Sequence, residues 1–372
     1  MSEAGKAHLK RRDAEAPRKP KASQPSIIPI VVATPRNETQ HTNPSAPRRL
    51  GVSNRRQHQR LLWQAGFFVL FIMAPVFDLF RYDLVAGHAW FLGMPWKLGI
   101  ADFQAGHISA GQAALNLLVR LFLPILATGG VLLYVSWRWG RLYCGWLCPH
   151  FSVVETINAL MRRASGKQSL WDRSVPTLPD GRLRQANGHF FRVDARWWFA
   201  TLPLAVAFAF LWAVVLLTYL LPPFEVYGNL LHGTPTRNQF VFITAGTIAL
   251  SVEFLFARHL FCRYACAVGL FQSLAWMANR GAMVVGFERM RAADCTACRE
   301  VGGAGYSACD QVCPMRLKPR SVKQSMFTCT QCAQCVSACE TVQGDRPSLL
   351  TWVADEAARQ NEATMSLTGK RD

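Results

Sequence analysis

Four long apolar runs constrain the fold of this chain more than any other feature. They occupy residues 61–80, 115–137, 197–221 and 238–257. At about 1.5 Å per helical residue, roughly 20 residues cross the hydrocarbon core of a bilayer. Half of the 372 residues are hydrophobic (51%) and only 17% are charged, which is unusual for a soluble enzyme. The runs therefore predict an α-helical membrane bundle with four transmembrane helices.

The basic charge of the chain is concentrated in three blocks outside these runs. The formal net charge is +18, of which residues 1–60 contribute +9, residues 138–196 contribute +6 and residues 258–372 contribute +4. Cytoplasmic segments of membrane proteins carry an excess of Lys and Arg. We therefore expect a protein of the bacterial inner membrane with both termini in the cytoplasm and the lipid bilayer as a partner. Nucleic acid is not expected as a partner, because the basic N-terminal segment has no aromatic residue for base stacking.

The same patterns predict the domain boundaries. Residues 1–57 are predicted to form a disordered basic cytoplasmic tail. Residues 58–280 form the membrane domain, which includes a cytoplasmic loop at 138–196. Residues 281–347 form a separate cysteine-rich domain, and residues 348–372 form a C-terminal tail.

The strongest local pattern is the cysteine-rich segment between residues 295 and 339. Its second half, CTQCAQCVSAC, has the C-x2-C-x2-C-x3-C spacing of bacterial ferredoxins. In two-cluster ferredoxins, three cysteines of each half bind one cluster and the fourth binds the other. We therefore predict a cytoplasmic α+β dicluster ferredoxin module of the bacterial type, with two 4Fe–4S clusters. The predicted ligands are Cys295, Cys298, Cys309 and Cys339 for one cluster, and Cys329, Cys332, Cys335 and Cys313 for the other.

One spacing departs from the ferredoxin pattern. A glycine-rich insertion, REVGGAGYSA, separates Cys298 from Cys309, where two residues are usual. A pair of zinc sites is the alternative for these cysteines. Zinc ligands usually come as spaced pairs instead of a run of three, so the spacing favours iron–sulfur clusters.

Two further cysteine pairs follow the second and fourth apolar runs. CGWLC supplies Cys144 and Cys148, and CRYAC supplies Cys262 and Cys266. A C-x3-C spacing places both thiols on one face of a helix. If the two helix ends adjoin, four sulfur atoms converge at the membrane surface, where soft thiolates suit copper, zinc or an iron–sulfur cluster. Four buried cysteines without a metal are the alternative.

Other polar residues near the runs are predicted to be interfacial. Arg120 and Glu253 lie near the ends of their runs, where long side chains reach the surface. His150 and His259 adjoin the cysteine pairs, but we expect them to be interfacial residues instead of ligands. The apolar runs contain no histidine, and the chain has no C-x-x-C-H motif, which leaves haem unsupported.

These motifs resemble the membrane-bound polyferredoxins typified by the cytochrome-oxidase accessory protein (FixG/CcoG-like), with relatives of the NapH and NosR kind. The resemblance is carried by CGWLCPH at 144–150, CRYACAVGLFQS at 262–273 and the cysteine-rich region 294–340. It implies electron transfer through cytoplasmic 4Fe–4S clusters beside a membrane bundle. In the accessory-protein branch it implies reduction of copper during assembly of a respiratory oxidase, with the membrane cysteine pairs as the copper or relay site.

The sequence therefore predicts a membrane-anchored iron–sulfur electron-transfer protein whose donor and acceptor it does not identify. Oxidase assembly factors are the candidate partners that the resemblance implies. Electron transfer alone requires no bond-making catalysis, so enzymatic activity, such as cupric reduction, is left open. A thiolate protein that handles Cu(I) and a redox-sensing membrane regulator are the two alternatives.

Overall fold

The computed structural model describes residues 51–167, 182–184, 190–257, 259–296, 298 and 307–367. Residues 1–50 of the predicted tail and residues 299–306 of the insertion lie outside this description. The same holds for parts of the predicted cytoplasmic loop, at residues 168–181 and 185–189.

Helices predominate, and the strands are short. In chain order the helices are α1 (Gly51–Met73), α2 (Ile100–Gln104), α3 (Ala110–Trp139), α4 (Leu142–Trp146), α5 (Pro149–Ser165), α6 (Ala195–Thr218), α7 (Pro223–Leu231), α8 (Arg237–Ala257), α9 (Ala267–Ala278), α10 (Ala308–Val312), α11 (Gln334–Gln343) and α12 (Asp355–Leu367). The strands are β1 (Phe80–Asp83), β2 (His88–Phe91), β3 (Met94–Trp96), β4 (Arg182–Arg184), β5 (Phe190–Arg192), β6 (Val284–Phe287) and β7 (Leu350–Val353).

Three of the described helices, α3, α6 and α8, are long and apolar enough to cross a membrane. The remaining predicted span, residues 61–80, is not confirmed. Its helix, α1, ends at Met73, ahead of Pro75, and β1 begins at Phe80. Proline has no N–H to continue the helical hydrogen bonds, so the apolar part of α1 is shorter than the roughly 20 residues that a span needs.

The bundle packs around α5, which follows the first cysteine pair. Val154 and Ile157 of α5 are fully buried against Ala209 and Trp212 of α6. Phe71 of α1 stacks on Trp212 with ring centroids 4.9 Å apart. By contrast, none of the most apolar stretch of α3 is buried, which is the surface expected of a helix that faces lipid.

Arg120 lies in a π turn of α3 and reaches the end of the bundle. Its Nη1 atom donates to the main-chain oxygen of Lys97 at 2.8 Å, and Trp96 donates to the main-chain oxygen of Arg120 at 2.8 Å. Trp96 belongs to the antiparallel sheet β1–β2–β3. The cation of Arg120 therefore lies beside this sheet, where it is exposed.

The cysteine-rich domain is built on the antiparallel pair β6–β7, in which Val285 opposes Trp352. Helix α11 packs on α10 and β7, and α12 packs on β6. Asn361 of α12 accepts a hydrogen bond of 3.0 Å from the backbone N–H of Phe287. Residues 350–367, which the sequence assigned to a C-terminal tail, therefore form part of this domain.

Candidate metal centres

The first group of cysteines surrounds one cavity and is named here the distal set. Cys295 ends a short 3-10 turn, Cys309 lies in α10 and Cys339 lies in α11. Ser307, Arg320 and Gln343 complete the polar lining, and the hydroxyl oxygen of Ser307 lies 3.2 Å from the sulfur of Cys309. The members of the distal set are Cys295, Cys298, Cys309 and Cys339.

The second group, the middle set, surrounds a separate cavity lined by apolar side chains. Its loop turns sharply because Gln331 and Ala333 adopt left-handed backbone conformations, with φ of 53° and 57°. Alternation of right- and left-handed residues turns successive N–H groups inward, an arrangement that binds anions and iron–sulfur centres. The backbone N–H of Leu317 donates to the sulfur of Cys313 at 3.4 Å. The members of the middle set are Cys313, Cys329, Cys332 and Cys335.

Helix α11 joins these two sets. It carries Cys335 of the middle set and Cys339 of the distal set, and residues four apart lie on the same helix face. Cys309, Cys335 and Cys339 belong to one packed core. The two sets are therefore neighbours along a single helix.

The third group, the membrane set, consists of Cys144, Cys148, Cys262 and Cys266. Burial raises the pKa of Cys262, and the nearby thiols of Cys148, Cys144 and Cys266 raise it further, so the two sequence-distant pairs lie close together. Cys144 donates a hydrogen bond of 3.1 Å to the side-chain oxygen of Gln272 in α9. The second cysteine of each pair caps a helix: Cys148 precedes α5, and Cys266 precedes α9.

Those two helix starts favour negative charge at the capping cysteines. The sulfur of Cys266 accepts a hydrogen bond from the backbone N–H of Gly269 at 3.5 Å. Unpaired N–H groups and the helix dipole make a helix N-terminus a favourable place for an anion. Both pairs therefore present a thiol to the positive end of a helix.

The middle and membrane sets contact each other through the backbone. Gly145 lies inside the first C-x3-C motif, and a Cβ atom there would be 3.4 Å from the backbone nitrogen of Cys332. The indole nitrogen of Trp146 donates to the main-chain oxygen of Gln331 at 3.0 Å. Cys148, Cys262, Cys313 and Cys329 belong to the same packed core. The distal, middle and membrane sets are therefore arranged in series.

Helices α1 and α5 hold this junction through a carboxylate. Glu155 of α5 forms an ion pair with Arg60 of α1 and accepts a hydrogen bond from Gln334 of α11. Arg60, which is only 3% exposed, also donates to the main-chain oxygen of Gly145 at 2.7 Å. These contacts tie the bundle to both the membrane set and the middle set.

Burial makes the unligated thiols weak acids. It raises the pKa of Cys313 and of Cys329 to about 12. Burial also raises the pKa of Cys295, and the charge of Arg320 opposes that rise. Arg60 opposes the rise in the same way at Cys332. A bound metal must displace these protons, and the nearby cations and N–H donors favour the thiolates that result.

The two histidines beside the membrane set make other contacts. Nε2 of His150 lies 2.9 Å from Oε1 of Glu253. His259 is buried, and its ring centroid is 4.7 Å from that of Phe151.

A cavity of about 570 Å³ separates α1, α5 and the cysteine-rich domain. It extends from Phe208 in the middle of α6 to Cys313 of the middle set, and Arg60 and Glu155 line it. It therefore links the apolar part of the bundle to a candidate metal ligand.

The charged residues around these centres are not among the residues that the sequence predicted as ligands. Arg60, Arg141 and Arg320 are all close enough to a cysteine to change the pKa of its thiol. Arg60 and Arg141 lie near ends of apolar runs, where an arginine also serves as a topology signal. Their burial depends on packing between segments that are distant in sequence.

Comparison with known proteins identifies the class of site. Residues 119–168 and 238–281 match the family model described as a 4Fe-4S binding domain. These segments contain both pairs of the membrane set. The match supports iron–sulfur binding, and the three long apolar helices support association with a membrane.

A curated relative gives a more particular likeness. The chain is 23% identical over 231 residues to Escherichia coli (strain K12) YccM, whose name ascribes electron transport to it. The aligned region covers 62% of this chain and 55% of the relative's length. No solved structure matches the chain.

Proposed function

We propose that this protein is a membrane-anchored electron carrier in which the distal, middle and membrane sets form one series of redox centres. The contiguity of the three sets carries the proposal: α11 bears a cysteine of each of the first two, and Gly145 lies against the middle-set loop. When bound, 4Fe–4S clusters would supply one-electron carriers at the distal and middle sets. The chain's own part is to hold the thiolates in line and keep water away from them.

The donor chemistry of the two ferredoxin-type sets fits such clusters. Each set offers four thiols, and the middle set adds inward N–H groups from its left-handed turns. A cubane takes one thiolate at each of its four irons, so four thiols around one cavity match its ligand count.

The membrane set is proposed as the electron exit toward the bundle. Its four thiols suit a third iron–sulfur centre or Cu(I). Copper reduction during respiratory oxidase assembly is the second candidate function, favoured by the soft, all-thiol donor set of the membrane set. The basic segments support an orientation with all three sets on the cytoplasmic side of a bacterial inner membrane.

Iron and acid-labile sulfide analysis of the anaerobically purified full-length protein tests the proposed carrier. About eight irons per chain are expected from the distal and middle sets, and about twelve if the membrane set also holds a 4Fe–4S cluster. The Cys144→Ser/Cys262→Ser double variant shows how much of the bound iron belongs to the membrane set. Ser337→Ala serves as a buried non-ligand control in α11. Zinc without iron in the wild-type protein would contradict the proposal.

Copper reduction is tested with the dithionite-reduced protein and Cu²⁺ in the presence of a Cu(I)-specific chelator. If copper is the acceptor at the membrane set, the double variant should lose the reduction while keeping the iron of the other two sets. Equal rates in both proteins would show that the membrane set takes no part in copper reduction.

The cytoplasmic orientation is tested with a phosphatase fused at residue 180. An inactive fusion supports the cytoplasmic orientation, and an active one contradicts it.

A further inference from the structure

Arg141 is a fully buried cation between the bundle and the cysteine-rich domain. It precedes α4 and is 0% exposed. Its Nη2 atom donates a hydrogen bond of 2.5 Å to the main-chain oxygen of Cys262 in the membrane set. Its Nε and Nη1 atoms are buried, and the thiol of Cys144 lies within hydrogen-bonding reach of the guanidinium. A buried charge in this state is costly unless an opposite charge compensates it.

The thiols around Arg141 belong to two different sets. Burial raises the pKa of Cys144 and Cys262 of the membrane set, and the charge of Arg141 opposes both rises. Arg141 opposes the rise in the same way at Cys329 of the middle set. The backbone geometry agrees: the N–H of Gly145 donates to the main-chain oxygen of Arg141 at 3.3 Å, and Gly145 lies against Thr330, the residue after Cys329. The cation therefore faces both sets.

Helix α9 leaves the space that the guanidinium occupies. A Cβ atom at Gly269 would lie 3.0 Å from Cζ of Arg141 and still closer to Nη2. The same atom would be 3.3 Å from the oxygen of Cys262. The absence of a side chain at position 269 thus keeps Arg141 against the membrane set.

We propose that Arg141 is the shared counter-cation of the middle and membrane sets and makes the centres held by both sets easier to reduce. This rests on the proposed function, since it requires a thiolate-bound redox centre in each of the two sets. A thiolate-bound centre gains negative charge on reduction, and a nearby cation stabilises the reduced form more than the oxidised form. Arg141 acts through the ligands and is a positioning and charge-compensating residue. The distal set, which has Arg320 beside it, provides an internal reference.

The test is a redox titration followed by EPR on anaerobically purified full-length Arg141→Gln, Arg141→Lys and wild-type protein. Signals are assigned to the middle and membrane sets by their loss in Cys335→Ser and Cys262→Ser. Both signals should move to lower potential in Arg141→Gln and move less in Arg141→Lys, while the distal signal stays in place. Arg138→Gln is the control, because Arg138 pairs with the exposed Asp355 at 2.6 Å and lies three residues away.

Unchanged potentials in Arg141→Gln, or a shift confined to one of the two sets, would overturn the shared role. A wild-type protein without iron would instead overturn the proposed function, so the two failures are distinguishable. Gly269→Ala gives a second route, because it keeps the charge but displaces the guanidinium. Where Arg141→Gln fails to fold, Gly269→Ala decides: a shift of both signals to lower potential supports the inference, and wild-type potentials reject it.

Discussion

Gly145 of helix α4 lies directly against the carbonyl group of Thr330 in the middle-set loop. A Cβ atom at position 145 would be 3.2 Å from the carbonyl carbon of Thr330 and much closer to its oxygen. The neighbouring hydrogen bond from Trp146 to Gln331 holds α4 and the middle-set loop in this position. The contact joins backbone to backbone, so neither partner can move aside by changing a rotamer.

Gly145→Ala should therefore push the middle-set loop away from helix α4. We expect loss of iron from the middle set and a lower unfolding temperature in detergent, because the added methyl group forces a backbone shift. Iron analysis and thermal unfolding measure the two effects. Gly228→Ala is the matched control, since a Cβ at position 228 meets nothing within 4 Å. A Gly145→Ala protein with wild-type iron content and stability would show that the contact is not required.

Glu155→Gln should weaken the attachment of the bundle to the cysteine-rich domain. The substitution leaves Arg60 buried without its carboxylate, and removing one partner of a buried ion pair costs about 3–5 kcal/mol. Faster proteolysis and a lower unfolding temperature are expected. Removing the charge as well, in Arg60→Met/Glu155→Gln, should recover part of the loss. Glu340→Gln is the control: its pair with Arg56 is partly exposed, and such pairs contribute about 0–1 kcal/mol. Similar losses in both single variants would contradict the assigned role of Glu155.

Cys335→Ser and Cys339→Ser should affect different centres although the residues are one helical turn apart. The first removes a thiol from the middle set and the second removes one from the distal set. EPR of the reduced proteins should show the loss of a different signal in each variant, with the other signal retained. Loss of the same signal in both variants would show that α11 serves a single centre.

Cysteine spacing predicted two ligand sets of four. The structure places each set of four around its own cavity, and their binding of clusters stays a prediction. Spacing is informative there because the ligands of each loop are only a few residues apart. The sequence predicted that Cys144 and Cys148 meet Cys262 and Cys266 only if two helix ends adjoin. Spacing could not decide this, because the two pairs are more than 100 residues apart. Arg141 could not have been predicted, because its burial requires Gly269 of α9 and the loop of Cys262 to close around it.

Two predictions about chain organisation differ from the structure for local reasons. A hydropathy window averages over Pro75 and Asp78, whereas the helix ends at Met73. Helix α12 is mostly polar, so its packing on β6 could not be predicted from composition. Strand β7 is attached through backbone hydrogen bonds to β6, which composition does not reveal.

Because of Lys323, the free energy of unfolding should depend on pH in the alkaline range. Its Nζ atom donates to the main-chain oxygens of Trp276 at 2.8 Å and Asn279 at 2.6 Å, and burial lowers its pKa from 10.5 to about 8. Between these two pKa values the unfolded chain binds the proton and the folded chain does not, so this residue's contribution to stability rises with pH. Below about pH 8 both states are protonated, and the cost of burying the charge is at its full value.

Unfolding temperatures of the wild type and of Lys323→Met, measured in detergent from pH 7 to 10.5, test this linkage. The difference between the two proteins should move in favour of the wild type as pH rises through 8, because Met carries no charge to lose. Effects of other titrating groups cancel in that difference. Lys318→Met is the control, because it replaces an exposed lysine by the same residue and leaves Lys323 in place. Parallel curves for the wild type and Lys323→Met would show that the Lys323 ammonium is as well solvated in the folded chain as in the unfolded one.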